Sequence, residues 1–140
     1  MNLSKKKFYL NKDLVKLDNK IKDKRGFIQP ISDLSMKSAL VIFTNRNQWR
    51  ANHYHKKDFH FIYVSKGSFE YYYRKTGSNG KIQKKIISTG QLLFTGNMID
   101  HAMFYTKDTE IFVVSKNSRD QKTYEEDTVR IDFMNDTRRF

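Results

Sequence analysis

Apolar positions along most of this chain fall in short runs rich in β-branched and aromatic residues, separated by polar and turn residues. The pattern predicts strands at Gly26–Ile31, Ser38–Thr44, Arg50–His55, Asp58–Ser65, Ser68–Lys75, Lys81–Ser88, Gln91–Thr95, Ala102–Thr106, Glu110–Ser115 and Thr128–Phe133. Between them lie turn residues: Lys66-Gly67, Gly77-Ser78-Asn79-Gly80, Thr89-Gly90 and Gly96-Asn97. Helical spacing is hard to find beyond the first twenty residues, where Leu10, Leu14 and Leu17 stand among charges. Residues 1–20 read as an arm that packs on, or exchanges with, a partner subunit. Residues 21–133 read as one all-β domain of the sandwich, jelly-roll or barrel type. Residues 134–140 read as a tail, and Asn117–Glu126 as a polar loop.

Length and composition narrow the function. At 140 residues, with 38% hydrophobic and 14% aromatic content, the chain suffices for one packed core and excludes a multidomain machine. The absence of cysteine removes disulfides, thiolate metal sites and thiol nucleophiles together. The longest apolar run, Ala39 to Phe43, is far too short for a membrane span, and Met1 to Lys7 lacks the apolar stretch of a signal peptide. The expectation is a cytoplasmic protein with no membrane partner.

The net charge of +12 favours anionic ligands. Its cations are mostly scattered lysines, and no helix-turn-helix, zinc-finger or RNA-recognition pattern accompanies them, so nucleic acid is not the expected partner.

The chain's four histidines carry the chemistry. His53 and His55 share one face of a predicted strand, His60 opens the next strand, and His101 begins another after the Gly96-Asn97 turn. Imidazoles gathered from several strands build either a transition-metal site or a protected acid–base site.

The spacing resembles the cupin superfamily. His53-Tyr54-His55, four residues, His60, six residues and Gly67 follow the first cupin motif, and Gly90, five residues, Gly96-Asn97-Met98, two residues, His101, three residues and Tyr105 follow the second. The departures are Arg50-Ala51 in place of an upstream Gly, His60 for Glu, Gly96 for Pro, Met98 for Gly and Tyr105 for Asn. The resemblance covers roughly Gly26 to Phe133 and implies a double-stranded β-helix.

Within that superfamily, Asp23-Lys24-Arg25-Gly26-Phe27 and Arg50-Ala51-Asn52-His53-Tyr54-His55 are similar to cupins that isomerise or epimerise nucleotide-activated sugars. These include the 3,4-ketoisomerases and the 3,5-epimerases. Tyr124-Glu125-Glu126-Asp127-Thr128-Val129-Arg130 resembles the closing segment of cupins from polysaccharide pathways. The resemblance implies that Arg50 holds phosphate, that His53 is the leading base and His55 its partner, and that no metal is needed. Arg25 and Arg74 are further candidate phosphate clamps, and Tyr63, Tyr71, Tyr73 and Tyr105 candidate acids or sugar platforms. A departure from that family pulls the other way: His53, His55, His60 and His101 together form a ligand set for divalent iron, nickel, copper or zinc. The leading expectation is therefore a sugar or nucleotide-sugar isomerase or epimerase of surface-polysaccharide or glycoconjugate synthesis. The alternatives are a metal-dependent cupin, such as a dioxygenase, and a non-catalytic sugar-binding cupin. Pairing through an open sheet edge predicts a homodimer.

Overall fold

The computed structural model describes residues 14–15 and 20–134. Twelve strands occur among them: β1 (Leu14–Val15), β2 (Ile21–Asp23), β3 (Gly26–Ile28), β4 (Ser38–Thr44), β5 (Gln48–His55), β6 (His60–Lys66), β7 (Ser68–Lys75), β8 (Gln83–Ser88), β9 (Leu92–Thr95), β10 (Ile99–Tyr105), β11 (Thr109–Ser115) and β12 (Thr128–Arg130). One helix, α1 (Gln121–Asp127), precedes β12. Two five-stranded antiparallel sheets, ordered β1-β9-β6-β11-β4 and β12-β5-β10-β7-β8, face each other, while β2 and β3 form a separate exposed hairpin. This is the jelly-roll sandwich the pattern predicts. No helix among the described residues is long and apolar enough to cross a membrane.

Alternation decides what lies between the sheets. Ile62 and Val64 of β6, Phe69, Tyr71 and Tyr73 of β7, Met103 and Tyr105 of β10 and Ile111 and Val113 of β11 form one buried cluster with Ile87 and Leu93. The opposite parity of β6 and β9 places Phe61, Leu92 and Phe94 on the outer face, where Ile31, Leu34, Met36, Phe59 and Tyr63 cover them. The predicted strand Gly26–Ile31 therefore stops at Ile28, and the chain beyond it becomes a cover for this second cluster. At the β6–β7 turn Gly67 has φ +99°, and a Cβ there would collide with the Thr109 hydroxyl and backbone, so only glycine fits.

The predicted polar loop Asn117–Glu126 is in part helical. Asp120 caps α1 by accepting a hydrogen bond from the Thr123 N–H at 3.0 Å. With seven mostly polar residues α1 carries no apolar stripe, and tertiary contacts hold it in place. Most of the expected arm, and the tail from residue 135, lie outside the described residues. Met134 is buried, and its N–H donates to Asn52 Oδ1 at 2.8 Å.

A bulge in β5 fixes the site. Ala102 pairs with Ala51 and His101 with His53, leaving Asn52 as an extra residue, and Ala51 and Asn52 have φ of 70° and 57°. Arg50 pairs with Met103, and His53 with His101. Both partners face inward, so the bulge turns Arg50 and His53 to the same inner face although they are three residues apart. In a regular strand an odd spacing would put them on opposite faces.

Asn52 tolerates the left-handed backbone and satisfies the buried Met134 N–H. Replacing it with alanine should cost about 2–3 kcal/mol in urea unfolding. A change below about 0.5 kcal/mol would show that the bulge is held by other contacts.

Candidate active site

Between the sheets, on the side where β4 faces β5 and β12, lies a cavity of about 310 Å³. His53, His55, His60 and His101 form its closed end, Ile62, Met103, Ile111 and Val113 its apolar wall, and Arg50, Arg119, Tyr124 and Arg130 its mouth. Cross-strand register explains the gathering: β10 presents His101 opposite His53, β12 presents Arg130 opposite His53 and Thr128 opposite His55, and β11 presents Ser115 opposite His60. The ring centroids of His53 lie 4.7 Å from His55 and 4.8 Å from His101, and those of His55 and His60 lie 4.6 Å apart.

Three of the rings are anchored through Nδ1. His101 Nδ1–H donates to the Ile99 carbonyl at 2.9 Å, His55 Nδ1 faces Asp127 Oδ2 at 3.2 Å, and His60 Nδ1 bonds the Ser115 hydroxyl. The His55 and His60 Nε2 atoms meet at 3.0 Å. His53 makes no hydrogen bond among the described residues and is the only ring of the four that is half-exposed to the cavity. Burial, reinforced by the neighbouring imidazoles and Arg130, lowers the His53 pKa to about 2. Burial likewise lowers His101 to about 4, against the pull of its bond to Ile99. His60 is pushed well below its ordinary value by burial, and His55 is lowered by burial despite Asp58 and Asp127. All four rings are neutral near pH 7.

The mouth is cationic. Arg50 donates from Nε to the Thr44 hydroxyl at 2.6 Å and from Nη2 to the Phe43 carbonyl at 3.2 Å, contacts that aim its guanidinium without neutralising it. Arg119 stacks over the Tyr124 ring at 4.1 Å, while Arg130 is paired with Glu125 at 2.9 Å. Tyr105 is buried at the base of Arg50, and burial raises its phenol to about 12 although the Arg50 charge and Thr44 oppose this. It serves as a hydrogen-bond donor and not as a base.

Several expected site residues lie elsewhere. Tyr63 has the opposite parity to His60 and Ile62 on β6 and packs in the outer cluster. Arg74 has the opposite parity to Tyr71 and Tyr73; on the outer face its Nε lies 3.6 Å from Asp100 Oδ2 and its guanidinium sits over Phe133. Arg25 sits exposed on the β2–β3 hairpin, bound to Asp23. Tyr71 and Tyr73 point inward but lie beneath the site: Tyr71 has its ring 6.1 Å from His101, Tyr73 stacks on it at 5.0 Å, and their hydroxyls bond Thr95 and Gln83. The four-histidine metal set also divides. Donor atoms of His53, His55 and His101 lie within 4.8 Å of one another, whereas His60 groups with His55 and Asp58.

The residues not anticipated are Asp127, Ser115, Arg119, Tyr124 and Arg130. Asp127 ends α1 beneath the 56–58 turn, where it accepts from the Lys57 N–H at 2.7 Å and reaches His55.

No family model and no curated protein matches this sequence. Solved structures do. The chain superposes with a TM-score of 0.65 and 25% identity on a sugar 3,4-ketoisomerase variant of Thermoanaerobacterium thermosaccharolyticum in complex with TDP, covering 84% of this chain and 85% of that one. It is similar to the TDP-fucose 3,4-ketoisomerase of Campylobacter jejuni at a TM-score of 0.66 and 18% identity, over 79% and 83% of the two chains. It also resembles the dTDP-4-dehydrorhamnose 3,5-epimerase of Sulfolobus tokodaii at a TM-score of 0.68 and 15% identity, over 88% and 84%. The chain has the cupin fold of these proteins.

Because the histidines hold folded-state pKa values below 6.5, they bind fewer protons than in the unfolded chain, and stability falls as pH drops below that value. The slope is about 1.4 kcal/mol per pH unit for each histidine in its window. Asp58, raised by burial, works in the opposite sense at lower pH. Melting temperature should drop steeply between pH 7 and 5, and less so for His101→Gln; a flat profile would contradict the buried neutral cluster.

Proposed function

We propose that the protein is an isomerase or epimerase that moves a proton beside the ketone of a nucleotide-activated sugar. The observation that carries this reading is the placement of Arg50 and His53 on one inner face, a cation at the mouth and a neutral base at the closed end. The fold neighbours support it, since the Thermoanaerobacterium enzyme has also been solved with TDP-4-keto-6-deoxyglucose.

The chemistry follows from the geometry. Arg50 takes the pyrophosphate, guanidinium being suited to bidentate phosphate contacts. The keto sugar then points down the cavity toward His53. A His53 nitrogen accepts the proton from the carbon next to the ketone, the bonding pair forms the C=C of an enediolate, and the ketone oxygen takes the negative charge. Return of the proton to the opposite face of the same carbon completes epimerisation; in isomerisation the former ketone carbon takes it, while the neighbouring hydroxyl gives its own proton to the enolate oxygen and becomes the new ketone. The anionic substrate also raises the pKa of His53 from its low value, bringing a weak base toward the range where it acts.

His53→Ala should lower kcat by about 10²–10⁴-fold on TDP-4-keto-6-deoxyglucose. Arg50→Ala should act mainly on KM, raising it by about tenfold or more. Proton NMR in D₂O reads both, because turnover deposits deuterium beside the ketone. Absence of exchange in the wild-type enzyme with keto sugar nucleotides would remove the assignment.

A second reading rests on the donor spacing of His53, His55 and His101, which suits one divalent iron, nickel, copper or zinc ion with an open position. These three would hold the ion, which would supply Lewis acidity at a bound oxygen. Plasma mass spectrometry separates the readings: about one metal per chain, lost in both His53→Ala and His101→Ala, favours the second, and a metal-free active protein favours the first.

The homodimer belongs to the same proposal. Among the described residues strand β4 is a sheet edge whose seven residues include no charge, and Val41 and Phe43 are 66% and 51% exposed. An edge lacking protective charges suits pairing with a second copy. Val41→Glu should convert a dimer to a monomer in light scattering, and a monomeric wild type at micromolar concentration would refute the pairing.

A further inference from the structure

The site contains a chain of hydrogen bonds that the proton transfer at His53 does not use. It runs from Ser115 to His60, from His60 to His55 and from His55 to Asp127, and the four residues are buried at 0%, 6%, 2% and 9% relative exposure. Its direction can be read from one end. Asp127 accepts from the backbone N–H groups of Lys57 and Asp58, so it is the carboxylate acceptor, and His55 Nδ1 must carry the proton facing it. Neutral His55 then has a lone pair on Nε2. Since His60 Nε2 approaches that atom at 3.0 Å, His60 must carry its proton on Nε2. Neutral His60 is left with a lone pair on Nδ1, which the Ser115 hydroxyl fills as donor.

We propose that Ser115 and Asp127 are positioning residues that lock His60 and His55 into opposite tautomers sharing one proton, so that the lone pair of His55 is committed to His60 and His55 is withdrawn from the bases open to a substrate. The inference rests on the isomerase reading for its catalytic meaning; the tautomers themselves do not. It assigns to His55 the role of a fixed wall that orients and desolvates its neighbour. It also explains why His60 stands where a carboxylate would otherwise sit: an N–H donor is needed there.

The test is the ¹⁵N spectrum of the imidazoles, correlated with their ring protons at pH 7 in the full-length wild-type protein. His55 and His101 should appear as Nδ1–H tautomers and His60 as the Nε2–H tautomer. Asp127→Asn reads the coupling. The carbonyl of the introduced amide would serve the Lys57 N–H, its NH₂ would donate to His55 Nδ1, and His55 would flip to Nε2–H. His60, which shares no hydrogen bond with residue 127, should then flip to Nδ1–H. Ser115→Ala should leave His60 averaging between tautomers and lower kcat by about tenfold with KM changed less than about twofold.

Wild-type His60 in the Nδ1–H form would overturn the proposal, as would metal-shifted Nε2 signals on both His55 and His60. So would an Asp127→Asn protein whose His60 signals stay in place. If the tautomers are as expected but no keto sugar nucleotide exchanges its proton, the isomerase reading falls and the hydrogen-bond chain stands.

Discussion

The two left-handed residues of β5 set the site's geometry. A strand that alternated regularly would show Arg50 to the cavity and His53 to solvent, or the reverse, because three steps of period two change face. With Asn52 added, Arg50, His53 and His55 all face the interior, and the partner strands β10 and β12 supply His101 and Arg130 in register. The extra residue is stabilised by chain arriving from the far end of the sequence. Ile131 donates to the Asn52 carbonyl at 3.0 Å, and Met134 donates to its side chain. Site geometry and C-terminal docking are thereby one constraint.

Electrostatics then divides the cavity along its length. Four imidazoles at the closed end stay neutral because burial penalises their charged forms, while Arg50 and Arg130 stand exposed at the mouth. That polarity fits a molecule with an anionic end and a neutral reactive end, and it orients such a molecule with its neutral end innermost. The buried carboxylate Asp127 lies behind His55 and is occupied by backbone donors and His55.

Much of this was legible in the chain. Strand positions followed from short β-branched and aromatic runs set off by turn residues, and the histidines could be grouped because two share a face at the end of one strand and the others fall near the starts of later ones. The arginines were harder. Spacing alone separates Arg50 from His53 by face, and only the likeness to sugar isomerases put them together, since a bulge leaves no mark in a hydrophobic pattern. Tyr63 and Arg74 were misplaced for a simpler reason: each differs in parity from an inward neighbour, His60 or Tyr73, and strand parity would have excluded them. Asp127 went unanticipated because acidic residues in a polar segment look solvated. The Asp120 cap, three residues before Thr123, was the available signal that the segment turns helical and returns toward the site.

The central claim is that one ligand spans Arg50 and His53. A crystal structure of a His53→Asn variant with bound TDP-4-keto-6-deoxyglucose tests it most directly. Pyrophosphate oxygens should lie on the Arg50 guanidinium, with a carbon beside the ketone about 3–3.5 Å from the residue 53 side chain. A sugar ring lodged at the mouth with its phosphates toward the histidines, or a ligand bound away from β5, would contradict it.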